Sequence, residues 1–142
     1  AAAPIEVIGQ SAIVGAIDAL RRPGDAAAWE IYVDGGRTAT GLDALAWVER
    51  LVELGAGELV LNSIDADGTR AGYDLPLMQA VAARVEVPIV ASGGAGNLEH
   101  MYQVLTVGQA SAALAASVFH FGVYSIPQAK QYLRERGVVV RQ

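Results

Sequence analysis

Short apolar runs rich in Val, Ile and Leu recur along the chain. Each is followed by a polar or Gly-rich turn and then by a longer stretch with helical spacing, which is the rhythm of β/α units. The first run, Ala12-Ile13-Val14-Gly15-Ala16-Ile17, ends at Asp18. The run from Trp29 to Val33 alternates sides and meets the turn Asp34-Gly35-Gly36 before Arg37-Thr38-Ala39-Thr40 returns, so it predicts a β-hairpin outside the main rhythm. A helix is expected over 43–54, where Leu45, Val48, Leu51 and Val52 share a face and Gly55 and Gly57 stop it. Three further units follow, pairing strands 58–62, 87–91 and 111–115 with helices 75–84, 98–107 and 126–136. Pro127 suits the first turn of the last helix. The strand cores read as apolar on both sides, as buried parallel strands should.

Four parallel β/α units plus a hairpin fit a doubly wound sheet or part of a barrel, since both place their polar residues at the carboxyl ends of strands. A closed (βα)₈ barrel takes about 250 residues. This chain has 142, so closure requires another chain, and the expected fold class is α/β, half of a TIM barrel. A single domain over 1–142 is expected, with 1–10 a remnant of a preceding unit.

A hydrophobic share of 53% against 18% charged residues indicates a packed core rather than disorder. The net charge is -5 and the ten basic residues are dispersed, which gives no footprint for a nucleic-acid partner. No run approaches the roughly 18 apolar residues that span a bilayer, and no basic-then-apolar leader opens the chain. Without cysteine there is no thiol nucleophile, thiolate zinc site or disulfide, and a reducing cytosol is the expected location.

Candidate chemistry gathers after the strands. Asp18, where an apolar run meets a loop, is placed for proton transfer, or alternatively for a cap or an ion pair with Arg21 or Arg22. The segment Asn62-Ser63-Ile64-Asp65-Ala66-Asp67-Gly68-Thr69 packs two carboxylates, hydroxyls and a glycine into one turn. It opens like a calcium loop, but its Gly comes too early and the distal Glu is missing. Orienting a polyol, sharing acid/base work, and simple Asx capping all remain open for it. Ser92-Gly93-Gly94-Ala95-Gly96-Asn97 leads into a helix and removes the Cβ atoms that would keep an anion from the backbone, so phosphate is its natural guest. Ala115-Ala116-Ser117 ends the last strand in the same manner, and the loops after a barrel's last two strands commonly share one phosphate. His100 and His120 stand apart and suggest no metal site.

Read in order, several phrases resemble the carboxyl-terminal half of the cyclase subunit of imidazole glycerol phosphate synthase, an enzyme family of histidine biosynthesis. They are Val14-Gly15-Ala16-Ile17-Asp18, Gly55-Ala56-Gly57-Glu58, Ser63-Ile64-Asp65-Ala66-Asp67-Gly68-Thr69, Gly72-Tyr73-Asp74, Ala91-Ser92-Gly93-Gly94-Ala95-Gly96 and Ala113-Leu114-Ala115-Ala116-Ser117-Val118-Phe119-His120-Phe121. The likeness runs from about Gly9 onward. The related phosphoribosyl isomerase shares the Asp-Gly-Thr and Ser-Gly-Gly turns, but Gly72-Tyr73-Asp74 and Phe119-His120-Phe121 are more like the cyclase.

The resemblance implies a lyase that uses ammonia to split and cyclise a bisphosphorylated ribonucleotide into imidazole glycerol phosphate and an aminoimidazole carboxamide ribotide, with no metal or organic cofactor. It further implies a glutaminase partner that delivers ammonia at the barrel's amino-terminal mouth. Asp18 then matches one of two catalytic aspartates, the other lying in the missing half. Asp67, Gly68, Gly94, Ala116 and Ser117 match phosphate-site positions, Asp65 and Ser92 line the pocket, and Glu58 matches a member of the ammonia gate. The sequence departs from the pattern at Gly9-Gln10-Ser11, at Gly15 where Val is usual, and at Asn62 where Thr is common.

On this reading the isolated chain carries half an active site and is inactive or weakly active. It is expected to pair through open strand edges with a complementary half-barrel or a second copy of itself. A non-catalytic phosphate-binding or scaffold half-barrel that self-associates is the alternative, and a stand-alone sugar-phosphate isomerase ranks last.

Overall fold

The computed structural model describes residues 13–24 and 27–141. Its strands are β1 (Val14–Arg21), β2 (Trp29–Val33), β3 (Thr38–Asp43), β4 (Glu58–Ser63), β5 (Ile89–Ser92) and β6 (Ala112–Leu114). The helices of two turns or more are α1 (Ala44–Glu53), α2 (Leu75–Ala82), α3 (Leu98–Leu105) and α5 (Ile126–Glu135), with the four-residue α4 (Ser117–His120) between the last two. The strands form one sheet in the order β3-β2-β1-β4-β5-β6. The expected remnant at 1–10 and the start of the first strand at Ala12 lie outside the described residues.

Strands β1, β4, β5 and β6 are parallel, so the four expected β/α units are present. The expected hairpin after the first strand is present, and it joins the main sheet. Strand β2 pairs antiparallel with β1 over Asp18 to Arg21, and that partner carries β1 three residues past Asp18, where the apolar run alone suggested an end. Just past β6, Ser117 opens α4 instead of ending the strand, and Phe121 N–H closes back on the Ser117 carbonyl at 3.0 Å.

Helix starts follow local chemistry. Asp43, Asp74, Asn97 and Ser125 each accept a hydrogen bond from a backbone N–H of the following turn, satisfying donors that a helix leaves free. Ser125 and Gln128 form a reciprocal capping box before α5.

The burial of the strands corrects the sequence reading. Ile17 and Ala19 on β1, Leu59 and Leu61 on β4, and Ile89 and Ala91 on β5 belong to the core, joined by Leu45, Val48, Leu77, Val81, Met101 and Val104 from the helices. The alternating positions Val14, Ala16, Val60, Val90, Ala112 and Leu114 lie outside that core, and Val14 and Leu114 are 51% and 48% exposed. Side chains alternate across a strand, so these positions share one face. Among the described residues the strands are therefore apolar on both faces but buried on one, whereas a doubly wound sheet carries helices on both. Gly15 sits on the covered face, where a Cβ would lie 3.1 Å from Leu59 Cδ2 and 3.2 Å from Leu51 Cδ1. No helix among the described residues is long and apolar enough to cross a membrane.

Candidate functional site

The turn after β5 is shaped by close backbone approach. Gly93 and Gly94 adopt φ of 92° and 112°, a region that side chains resist. A Cβ on Gly94 would stand 2.0 Å from the Gly72 carbonyl oxygen, and one on Gly96 would stand 2.1 Å from that of Arg70. The loop between β4 and α2 is thus laid directly on the Gly-rich turn, and Gly72 N–H donates to the Gly94 carbonyl at 2.8 Å. Tyr73 extends the contact to β6, its hydroxyl donating to the Leu114 carbonyl at 2.9 Å. Burial pushes the Tyr73 phenol up to about 12, which keeps it the donor this bond requires. His100 supports the turn from behind by accepting from Gly96 N–H at 2.9 Å.

These contacts bring three strand ends around a pocket of about 140 Å³, lined among others by Asp67, Gly68, Arg70, Ser92, Gly94, Ala116 and Ser117. Backbone amides, two hydroxyls and one guanidinium in a small concave space can hold an anion such as a phosphate ester. Six positions singled out from the sequence meet here: Asp67, Gly68, Ser92, Gly94, Ala116 and Ser117.

Asp18 lies on the same rim but outside the pocket. It is in register with Asn62, which is in register with Ser92. Asn62 Nδ2 donates to Asp18 Oδ1 at 3.0 Å, and Ser92 Oγ donates to Asn62 Oδ1 at 3.2 Å. One polar line therefore crosses the uncovered face from Asp18 to the pocket wall. Two strand spacings separate its ends, roughly 10 Å. Glu58 opens β4 and lies on the same face at the opposite, amino-terminal end.

Asp65 is placed elsewhere, with its carboxylate accepting from Arg21 N–H at 2.7 Å. Nearby, Asp74 joins three elements: it caps α2 and takes Arg21 Nη2 and Trp29 Nε1, each at 3.0 Å. Arg70, Asn62 and Asp74 were not singled out as site residues from the sequence. Arg70 had one readable signal, a cation in the loop that carries Asp67-Gly68-Thr69. The contacts of Asn62 depend on strand register, and those of Asp74 with Arg21 and Trp29 depend on tertiary packing, its cap of α2 alone being local.

A family model described as histidine biosynthesis protein matches residues 2–125. The chain is 56% identical over 136 residues to the protein named imidazole glycerol phosphate synthase subunit HisF of Symbiobacterium thermophilum, a match covering 96% of this chain and 53% of the relative. The chain thus spans about half the length of the curated relative it matches.

Proposed function

Because the chain belongs to the histidine biosynthesis protein family, we propose that it supplies the carboxyl-terminal half of a cyclase barrel and one half of that barrel's active site. The fold is α/β, a half-barrel of four parallel units. On this proposal the sheet's uncovered face becomes barrel interior. Over Val14 to Ile17, β1 pairs with β4 alone among the described residues, and β6 pairs with β5 alone. Both outer parallel edges thus offer backbone donors and acceptors to a complementary half, and the apolar Val14, Val60, Val90 and Leu114 lose water on closure.

The observation that carries the reading is the hydrogen-bonded line from Asp18 through Asn62 to Ser92, ending in the glycine- and serine-lined pocket on one rim. Gly94, Ala116 and Ser117 grip one phosphate of a bisphosphorylated ribonucleotide, and Asp67 and Gly68 close the wall of that cup. The reacting carbons then lie over the sheet toward Asp18, which exchanges protons with them as ammonia splits and cyclises the substrate. Asn62 holds the carboxylate in one orientation, and orientation contributes heavily to such steps. The opposing carboxylate comes from the other half. Ammonia from a glutaminase partner enters at the Glu58 end, and no metal or organic cofactor takes part. Asp65, on this reading, shapes the loop by holding the Arg21 backbone rather than touching substrate. The reaction belongs in the cytoplasm.

The test mixes this chain with the amino-terminal half of the Symbiobacterium relative and follows ammonia-dependent formation of imidazole glycerol phosphate. The mixture is expected to turn over where neither half does, and Asp18→Asn in this chain should abolish the reaction. A mixture that associates with native-like circular dichroism yet stays inactive would overturn the proposal. Sedimentation of the chain alone reports whether a second copy occupies the same edges.

A further inference from the structure

The pocket's side chains include one cation. Asp67 contributes a negative charge to the lining, Ser92 and Ser117 contribute hydroxyls, and the rest of the wall is backbone and apolar groups apart from Arg70. In a chain of net charge -5, a phosphate ester of charge near -2 would meet a repulsive surface and an adjacent carboxylate. Arg70 offsets both.

The backbone holds this residue in place. Arg70 has φ of 58°, a left-handed conformation uncommon for a residue with a side chain. Its carbonyl is pressed against Gly96, where even a methyl group would overlap it. A residue bound this tightly to the Gly-rich turn presents its side chain from a fixed point on the pocket wall. The side chain is exposed, and its guanidinium carbon lies 5.8 Å from the ring centroid of Phe121, just past α4. Phe121 is itself 67% exposed, so it offers the cation a face without burying it. Neither a salt bridge nor a hydrogen bond with a carboxylate engages Arg70 among the described residues.

From this we infer that Arg70 is a substrate-binding residue, the charge that neutralises the phosphate held by Gly94 and Ser117. Resting against Phe121, the guanidinium keeps its N–H donors available and moves onto the ester's oxygens when the ester enters. Its planar fork suits two phosphate oxygens at once, which a lysine ammonium does not reproduce. The inference rests on the phosphate reading of the pocket and adds the residue that sets its charge selectivity.

The experiment is calorimetric titration of the chain with glycerol 3-phosphate at two salt concentrations. Arg70→Asn removes the charge while keeping a residue that tolerates positive φ, and Arg70→Gln serves as a second variant with a longer amide. Binding is expected to weaken tenfold or more in both, with Arg70→Lys between them and the wild type. The salt dependence of the affinity should be shallower in the uncharged variants. Unchanged affinity and salt dependence in a folded Arg70→Asn or Arg70→Gln chain, beside a wild type that binds, would overturn the role of Arg70 alone. A wild type that does not bind would overturn the phosphate reading along with it.

Discussion

Replacing Gly94 by Ala tests whether the pocket depends on the seating of the β4–α2 loop. Two effects add at this position. The first is conformational, since φ of 112° is a backbone that a side chain adopts only under strain, at about 1–3 kcal/mol. The second is contact: the new methyl would stand 2.0 Å from the Gly72 carbonyl oxygen and 3.0 Å from Ala66 Cβ. Real contacts of this kind rarely fall below 3.0 Å, so the carbonyl must retreat by roughly 1 Å. That retreat disrupts the Gly72 N–H to Gly94 carbonyl bond, worth about 1 kcal/mol. The sum is about 2–4 kcal/mol. Gly68→Ala supplies the control, because Gly68 has φ of 76° with nothing within 4 Å of its Cβ position and meets the conformational effect alone. Urea unfolding of both variants, followed by Trp29 fluorescence, should place Gly94→Ala at least 1 kcal/mol below Gly68→Ala, with phosphate-ester binding also lost. Equal stabilities would refute the reasoning that backbone contact defines the site.

Asp74→Ala leaves Arg21 Nη2, Trp29 Nε1 and the Leu77 amide without their shared acceptor, whose side chain is 6% exposed. Thermal unfolding is expected to show a loss of about 3 kcal/mol, and a loss under 1 would show that water replaces the carboxylate freely. Tyr73→Phe bears on alkaline stability. The phenol's folded value, about 12, is raised above its ordinary 10.0, so its contribution is fully present below pH 10 and fades as pH rises through 12. The variant should have a flatter stability profile over that window, and an unchanged slope would rule out Tyr73 as a contributor.

Much of the scaffold was legible in the sequence. Leu59 and Leu61, and Ile89 and Ala91, fall in short apolar runs bounded by Gly and Pro, while Gly55 marked the end of one helix and Pro127 the first turn of another. What escaped depends on distant partners. Nothing local to Asp18 says that Trp29 and its neighbours will pair with the following residues and lengthen β1. Val60 and Val90 read as buried because an apolar side chain has the same chemistry whether it faces a helix or an uncovered interior. The phosphate turns were visible as glycine spacing, whereas Arg70 showed in the sequence only as a cation beside Asp67-Gly68-Thr69 and is fixed at the site by a tertiary contact between its carbonyl and Gly96. Asp65 and Asp67 are chemically alike and two residues apart, yet one lines the pocket while the other accepts from the Arg21 backbone.

The central claim is that an anionic ester seats where β5 and β6 end. The most direct measurement maps backbone amide shifts of the chain as glycerol 3-phosphate is added. The largest saturable changes are expected at Gly94, Ala95, Ala116 and Ser117. Largest changes instead at Lys130 and Arg134, which line a separate surface groove on α5, would contradict the claim.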